Sequence, residues 1–420
     1  MLKRNRSFAK MFVAYGLSAF GDYLDFMAVT ILLGFAWKAD AMTIALVPLT
    51  FAVPGILFGQ AAGILADRWN KRNLMIAADL IRAFLTALLI FAPNEWTLLG
   101  LLTLRSSIRT FHYPAQQAMT RNVVGPDQLL QAVSLNGSVF QLSKILGPLL
   151  GASIAAAFSP SGCMAINAVC YILSALLLVW IPPKHGISDR SVGSIDAQPT
   201  EMTAPSRFGD VWKEGWRMLL RSRLLLASVG FCLVGLFGIQ LIDAQIAVLL
   251  REIAPDRPEL IGWLVTAIGA GGLAGVAWLH RYRELRAYGW LLGGGLALIG
   301  LMFAAAGLQR PDSPIGLLLL ACFVGGVGTG FTSTGMTYIL QKETPPESIG
   351  RVSGIFDSLN SVVFIVAPLT GGVLIGWLGA PNTFLAAGWM VGGIGLSGIF
   401  LRRLLWGVKK GVESMAADQP

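Results

Sequence analysis

Apolar residues do not alternate along this chain; they run. Windows of about 20 almost uninterrupted hydrophobic residues recur from Met11 to Leu405, separated by short polar breaks. A window of that length crosses about 30 Å of hydrocarbon as an α-helix. Barrel strands are excluded, because they alternate over about ten residues. Helices satisfy their own backbone in lipid, so the pattern predicts helical spans. Twelve are expected, near 11–36, 42–66, 73–92, 97–120, 129–157, 162–181, 222–250, 260–280, 286–307, 314–340, 350–378 and 383–405.

A long polar break near the middle splits them six and six. The expected organisation is a six-helix bundle over 1–182, a cytoplasmic linker over 183–223, a second bundle over 224–406 and a tail over 407–420. Residues 185–206 are polar and short-sided, the composition of a disordered segment. In 207–223, Phe208, Val211, Trp212, Trp216 and Leu219 fall on one helical face beside Lys213, Arg217, Arg221 and Arg223. That predicts an amphipathic helix on the inner leaflet.

Composition supports the span reading. Of 420 residues, 55% are hydrophobic and 13% charged, and mean hydropathy is +0.65. A soluble chain carries roughly 25% charged residues. The formal charge of +9 would suggest nucleic acid in a soluble protein. Here it is explained by placement: with the N-terminus inside, cytoplasmic segments hold 24 of the 32 Lys and Arg residues and external loops hold 4. The positive-inside rule then puts both termini in the cytoplasm; the membrane expected is a bacterial-type inner membrane. The N-terminal MLKRNRSFAK leads into an uncleaved first span rather than a removed signal peptide. Cys163, Cys170, Cys232 and Cys322 all lie in apolar runs and read as small hydrophobes, not a disulfide or metal set. No metal, haem or nucleotide motif is present, so no cofactor, catalytic set, ATP-driven pump or nucleic-acid partner is expected.

The halves repeat. A shift of 220 residues lays Pro126 on Pro346, Asp127 on Glu347, Pro148 on Pro368 and Gly151 on Gly371. Spans five and eleven are therefore expected to be equivalents in two pseudo-symmetric bundles, with a transport site near mid-depth.

Charges inside spans are costly and mark cavities or partners. Span one carries Asp22 and Asp25, span three Asp79 and Arg82, span four Arg105 and Arg109, span five Lys144 and span seven Asp243. Depth favours Asp22 or Asp25 as the partner of Arg105. Asp79 and Arg82 are spaced to pair within their own helix. Asp22, Asp25 and Asp243 are candidates for carrying a proton, with Arg105 and Arg109 tuning them; permanent salt bridges are the alternative. His112 is a further candidate relay. Aromatic and amide residues on spans one, seven, ten and eleven would line a cavity for a bulky amphiphile: Phe20, Tyr23, Phe26, Phe237, Gln240, Gln245, Phe331, Tyr338, Phe356, Asn360 and Phe364. Gly55, Gly59 and Gly63 put a smooth stripe on span two.

The loop Gly63-Ile-Leu-Ala-Asp67-Arg68-Trp-Asn-Lys71-Arg72 packs one acid and three bases between two spans. It resembles the loop between helices two and three of the major facilitator superfamily. In that light Gly63, Asp67, Arg68, Lys71 and Arg72 form a cytoplasmic gate, in which Asp67 grips the other half in one state and releases it in another. The matching HRYRELR at 280–286 lacks the glycine–aspartate core, so the lock is expected to be single. Gly147-Pro148-Leu-Leu-Gly151 resembles the superfamily's antiporter motif, where a kink and a smooth face seal the exit path.

Three stretches, 17–33, 65–83 and 113–124 followed by 145–151, resemble the drug:proton antiporter branch. That branch includes macrolide efflux proteins, enterobactin-type exporters and lysophospholipid transporters. The resemblance implies the all-α major facilitator fold and transport driven by a proton gradient. It places Asp22, Asp67, Arg105 and Pro148 on motif positions. The expected function is export of a bulky, macrolide-like amphiphile by a monomer whose partners are substrate, lipid and protons. A lysophospholipid flippase and a siderophore exporter are the alternatives; the latter would use Arg105, Arg109 and Lys144 as anion contacts.

Overall fold

The computed structural model describes residues 5–124, 126–182, 216–281, 287–311, 313–344 and 349–406. Every regular element among them is helical. The elements are α1 (Arg6–Ile31), α2 (Ala41–Arg68), α3 (Lys71–Leu89), α4 (Glu95–Val123), α5 (Pro126–Ala157) and α6 (Pro160–Val179). They continue with α7 (Arg223–Asp243), α8 (Ile246–Ile253), α9 (Leu260–Leu279), α10 (Gly294–Leu308), α11 (Ile315–Glu343), α12 (Ile349–Leu378), α13 (Ala380–Phe400) and α14 (Arg402–Trp406). Wider π-helical turns extend α1 through Leu32–Ala36 and precede α10 at Gly289–Gly293.

Short polar side chains start the helices of the first half. Asn5, Asp40, Asn70, Asn94 and Ser159 each accept a hydrogen bond from the backbone N–H three residues on. Each thereby satisfies one donor that a helix start leaves open. At the other end of the chain, α13 follows Gly379, whose φ of 79° favours glycine.

Ten helices among the described residues are long and apolar enough to cross a membrane. The protein is an all-α, multi-pass membrane protein. Two helices expected as spans, α3 and α4, are not among the ten. They carry the chain's buried Asp79, Arg82 and Arg105, which lower their hydropathy. Span seven also differs from expectation. The apolar run 222–250 breaks into α7 and α8 at Ala244–Gln245, just after Asp243.

Two compact units result. The first gathers the described residues up to 182 with Ala244–Thr266 and Pro368–Trp377. In it α1 packs on α5 and α6, α3 on α4 and α6, and α2 on α4. Gly147 and Gly151 let α5 lie against α1: a Cβ on Gly147 would collide with Tyr23, and one on Gly151 would come within 3.1 Å of Leu24 Cα and Met27 Cβ. Segment 244–266 is tied to the same unit by hydrogen bonds. Gln245 Nε2 donates to Ala41 O (2.8 Å), and Arg251 Nη1 donates to Ala39 O (3.0 Å) and Gly34 O (3.2 Å).

The second unit is built on glycine contacts. Side chains added at Gly300, Gly388 or Gly395 would run into the backbone of the facing helix in the α10–α13 pair. The α9–α11 pair is as close, through Gly271, Gly275, Gly326 and Gly330. Lipid gives little hydrophobic drive for helices to associate, so backbone-to-backbone packing of small residues replaces it. Of the expected amphipathic helix, residues up to 215 lie outside those described. Residues 216–221 are helical, and Leu219 is buried against Leu225, Val229 and Tyr288 rather than facing lipid.

Candidate functional site

Four helices of the first unit each carry a polar stripe at helical spacing. On α1 it is Ser18, Asp22 and Asp25; on α3, Asp79, Arg82 and Thr86; on α4, Arg105, Arg109, His112 and Gln116; on α6, Asn167, Tyr171 and Ser174. Residues three, four and seven apart share one helix face, so each stripe points one way.

The stripes meet in a network of charge. Arg82 Nη2 donates to Asp22 Oδ1 (2.8 Å) and Oδ2 (2.9 Å) and to Tyr171 Oη (2.6 Å). Tyr171 Oη in turn donates to Asp22 Oδ1. The Arg82 guanidinium also lies over the Tyr171 ring, 4.1 Å from its centroid. The expected partner one turn away, Asp79, is farther, with Oδ1 3.5 Å from Arg82 Nη1. Asp79 is held instead by Ser174 Oγ, which donates to Oδ2 at 2.6 Å, and faces His112 Nε2 at 3.4 Å. Arg105 Nη1 donates to Asp25 Oδ2 (2.6 Å) and has Thr86 Oγ1 at 3.3 Å. Asp25 and Asp79 are fully buried, whereas the Asp22 side chain keeps 20% of its surface. Paired charges of this kind offset part of a desolvation cost that either would face alone.

That exposed part of Asp22 faces a cavity of about 220 Å³. Arg82, Arg105, Arg109 and His112 share its lining, and Tyr15, Tyr23, Phe26, Phe51, Tyr113 and Phe140 supply aromatic walls. Tyr23 and Phe140 meet edge to face at 5.9 Å.

The other expected residues are distributed as follows. Tyr23 and Phe26 line the cavity, but Phe20 does not. Gln245 is buried and bonded to Ala41, outside it. In the second unit Phe237 and Gln240 are half-buried on α7, and Asp243 is exposed at its end. Phe331 packs on Trp278 at 5.5 Å and Tyr338 on Tyr288 at 6.5 Å, with Phe356 packed against the core cluster that holds Tyr288. Asn360 Oδ1 is buried with no hydrogen-bond partner among the described residues, and Phe364 is exposed. Lys144 is exposed on α5, and Pro148 is buried there.

Of the gate loop, Asp67 and Arg68 end α2, but the side chains of Ile64, Asp67 and Arg68 and the surroundings of Gly63 lie outside the described set. Lys71 opens α3. Arg72 donates from Nε to Leu178 O (2.9 Å) and from Nη2 to Val179 O, closing the C-terminal turn of α6. Lys10 Nζ reaches Trp180 O at 2.6 Å beside it. Most of HRYRELR lies outside the described residues. Gly55 and Gly59 have nothing within 4 Å of a Cβ, so their stripe is open rather than packed.

Tyr171, Ser174 and Thr86 were missed from sequence. The signal was present as polar residues at four- and three-residue steps on α6 within an apolar run, but hydroxyls in a span are common enough to pass as neutral.

Buried, paired charges within membrane-crossing helices are costly in hydrocarbon and mark functional sites. The chain belongs to the Major Facilitator Superfamily, whose sequence profile matches residues 11–253. It is a secondary membrane transporter and not an enzyme. Its similarity to the MFS-type transporter YfiS of Bacillus subtilis (strain 168), itself uncharacterized, is 29% identity, covering 94% of this chain and 93% of that one. Macrolide efflux protein A of Streptococcus pyogenes is 24% identical over 84% of this chain and 85% of its own length. The Staphyloferrin A transporter of Staphylococcus aureus is 24% identical over 63% of this chain and 66% of its own. Among solved structures, the nucleoside transporter NupG matches with a TM-score of 0.70 at 13% identity, over 95% of this chain and all of that one. At that identity the match speaks for the fold.

Proposed function

We propose that this protein is a proton-coupled exporter of bulky amphiphilic compounds. It would work by alternating access as a monomer, through twelve spans in two six-helix halves, in a bacterial-type inner membrane with both termini cytoplasmic. The observation that carries the coupling is Asp22, a carboxylate partly open to the cavity and shared between Arg82 and Tyr171. Protonating it removes the charge that holds Arg82, so proton loading and rearrangement of α1 against α3 become one event. Asp25 with Arg105 is a second such pair. Asp243, at the break of span seven, is a candidate in the other half. Likeness to Macrolide efflux protein A, and to Multidrug efflux pump Tap of Mycolicibacterium fortuitum at 26% identity, supports an efflux role for the same cavity.

The test is reconstitution in vesicles with an imposed pH gradient, read with a pH-sensitive dye. Macrolides, cationic dyes, catecholate siderophores and lysolipids are added in turn. Substrate-dependent dissipation is expected and should be lost in Asp22→Asn. A response unchanged in Asp22→Asn, Asp25→Asn and Asp243→Asn rules out carboxylate coupling. A second reading, siderophore export, draws support from the likeness to the Staphyloferrin A transporter. A response to siderophores alone would favour it.

A further inference from the structure

We infer that Arg109 is the polar anchor of the first-unit cavity, and that its cargo carries an anionic oxyacid headgroup, carboxylate or phosphate, on an apolar body. This rests on reading that cavity as a cargo site; it goes further in fixing the sign of the cargo's charge and the residue that reads it.

Asp22, Arg82, Arg105, Arg109 and His112 face the cavity. Asp22 has both oxygens engaged by Arg82 and one also by Tyr171. Arg105 is spent on Asp25, which is fully buried behind the lining. His112 is buried and turns Nε2 toward Asp79, fully buried as well. Among the described residues, Asp22 and Asp79 thus lie within 4.0 Å of Arg82, and Asp25 within 4.0 Å of Arg105. Arg109 is different: it is exposed, and no carboxylate lies within 4.0 Å of it among the described residues. It sits one turn along α4 from Arg105, on the same stripe.

Among the described residues, a cationic cargo entering this space would meet a guanidinium with no carboxylate within 4.0 Å, while Asp22, the one acid on the lining, is already held by Arg82 and Tyr171. An oxyanion would find a planar, permanently charged donor able to bind it in two-point fashion. The same lining carries Tyr15, Tyr23, Tyr113 and Phe140, which suit an apolar or aromatic body. The paired groups deeper in the stripes are left for coupling, so recognition and coupling fall to different arginines.

The experiment is equilibrium binding to the full-length protein in lipid nanodiscs, with empty nanodiscs subtracted. Four probes share one naphthyl-alkyl body and differ only in the head: carboxylate, phosphate, primary amide or trimethylammonium. At least one anion is expected to bind wild-type protein about tenfold or more tighter than the amide, with the ammonium weakest. Arg109→Gln should level the series, and Arg109→Lys should keep a reduced preference for anions. Whether carboxylate or phosphate leads separates carboxylic amphiphiles from phospholipid-like cargo. The inference is overturned if amide or ammonium matches the anions, if Arg109→Gln keeps the preference, or if no probe binds. None of these results bears on proton coupling, which the vesicle assay reads separately.

Discussion

Arg82 reaches past an acid on its own helix to one sixty residues away. Asp79 is one turn off, yet Asp22 on α1 lies closer, at 2.8 against 3.5 Å. Tyr171 explains the choice, since it bonds both Asp22 and Arg82 and supports the guanidinium with its ring. Removing its hydroxyl in Tyr171→Phe should loosen Asp22. Substrate-driven proton flux in vesicles should change, while thermal unfolding in detergent shifts by about 2 kcal/mol, for two lost hydrogen bonds. The Asp25–Arg105 pair calls for a cycle. Arg105→Met alone should cost about 3–5 kcal/mol, because it strands a buried carboxylate, and the double variant with Asp25→Asn should recover most of that. Equal destabilisation of both would show that the pair's charge is not what matters. That Arg105 pairs with Asp22 or Asp25 was legible from depth along two opposed spans; that it is Asp25 was not. Arg82 with Asp22 was not, because separation along the chain says nothing about which stripes will face.

Two kinds of glycine behave differently at the level of the helix. Gly300 faces the Gly392 backbone across α10 and α13, whereas Gly55 on α2 faces open space. Gly300→Leu should therefore abolish folded protein by size-exclusion chromatography. Gly55→Leu should unfold within about 0.5 kcal/mol of wild type, as an unpacked surface change does. A large loss of stability in Gly55→Leu would mean that its stripe is packed after all. Apolar periodicity located most helices, but it ran straight through the break at Ala244–Gln245. A continuous apolar run carries no mark of where a backbone turns, and Gln245 becomes informative only once Ala41 is seen to accept its amide. Arg72, expected in a gate, is engaged by the α6 carbonyls, so Arg72→Ala should fray that helix end as well as alter the loop.

The whole molecule raises two questions of sidedness and motion. The four native cysteines are buried, so a cysteine-free background is suited to labelling. In it, Pro93→Cys should react with a membrane-impermeant maleimide on intact cells, and Arg121→Cys only after lysis. The reverse pattern would invert the orientation inferred from the Lys and Arg distribution. For the gate loop, Asp67→Ala should lower transport rate with little change in thermal unfolding. Normal transport would leave the loop a topological role.

The sequence by itself determined that this is a helical, multi-pass membrane protein, where its charges lie along the spans, and which superfamily loop it carries. Those are local properties: run length, composition and motif spacing survive without any knowledge of contacts. Only the tertiary structure decided how the charges are shared. Four stripes on α1, α3, α4 and α6 must face one another before Arg82 and Arg105 are neutralised and Arg109 is left open. Burial makes that sharing consequential, because a charge in low dielectric must be paired or remain available for a ligand.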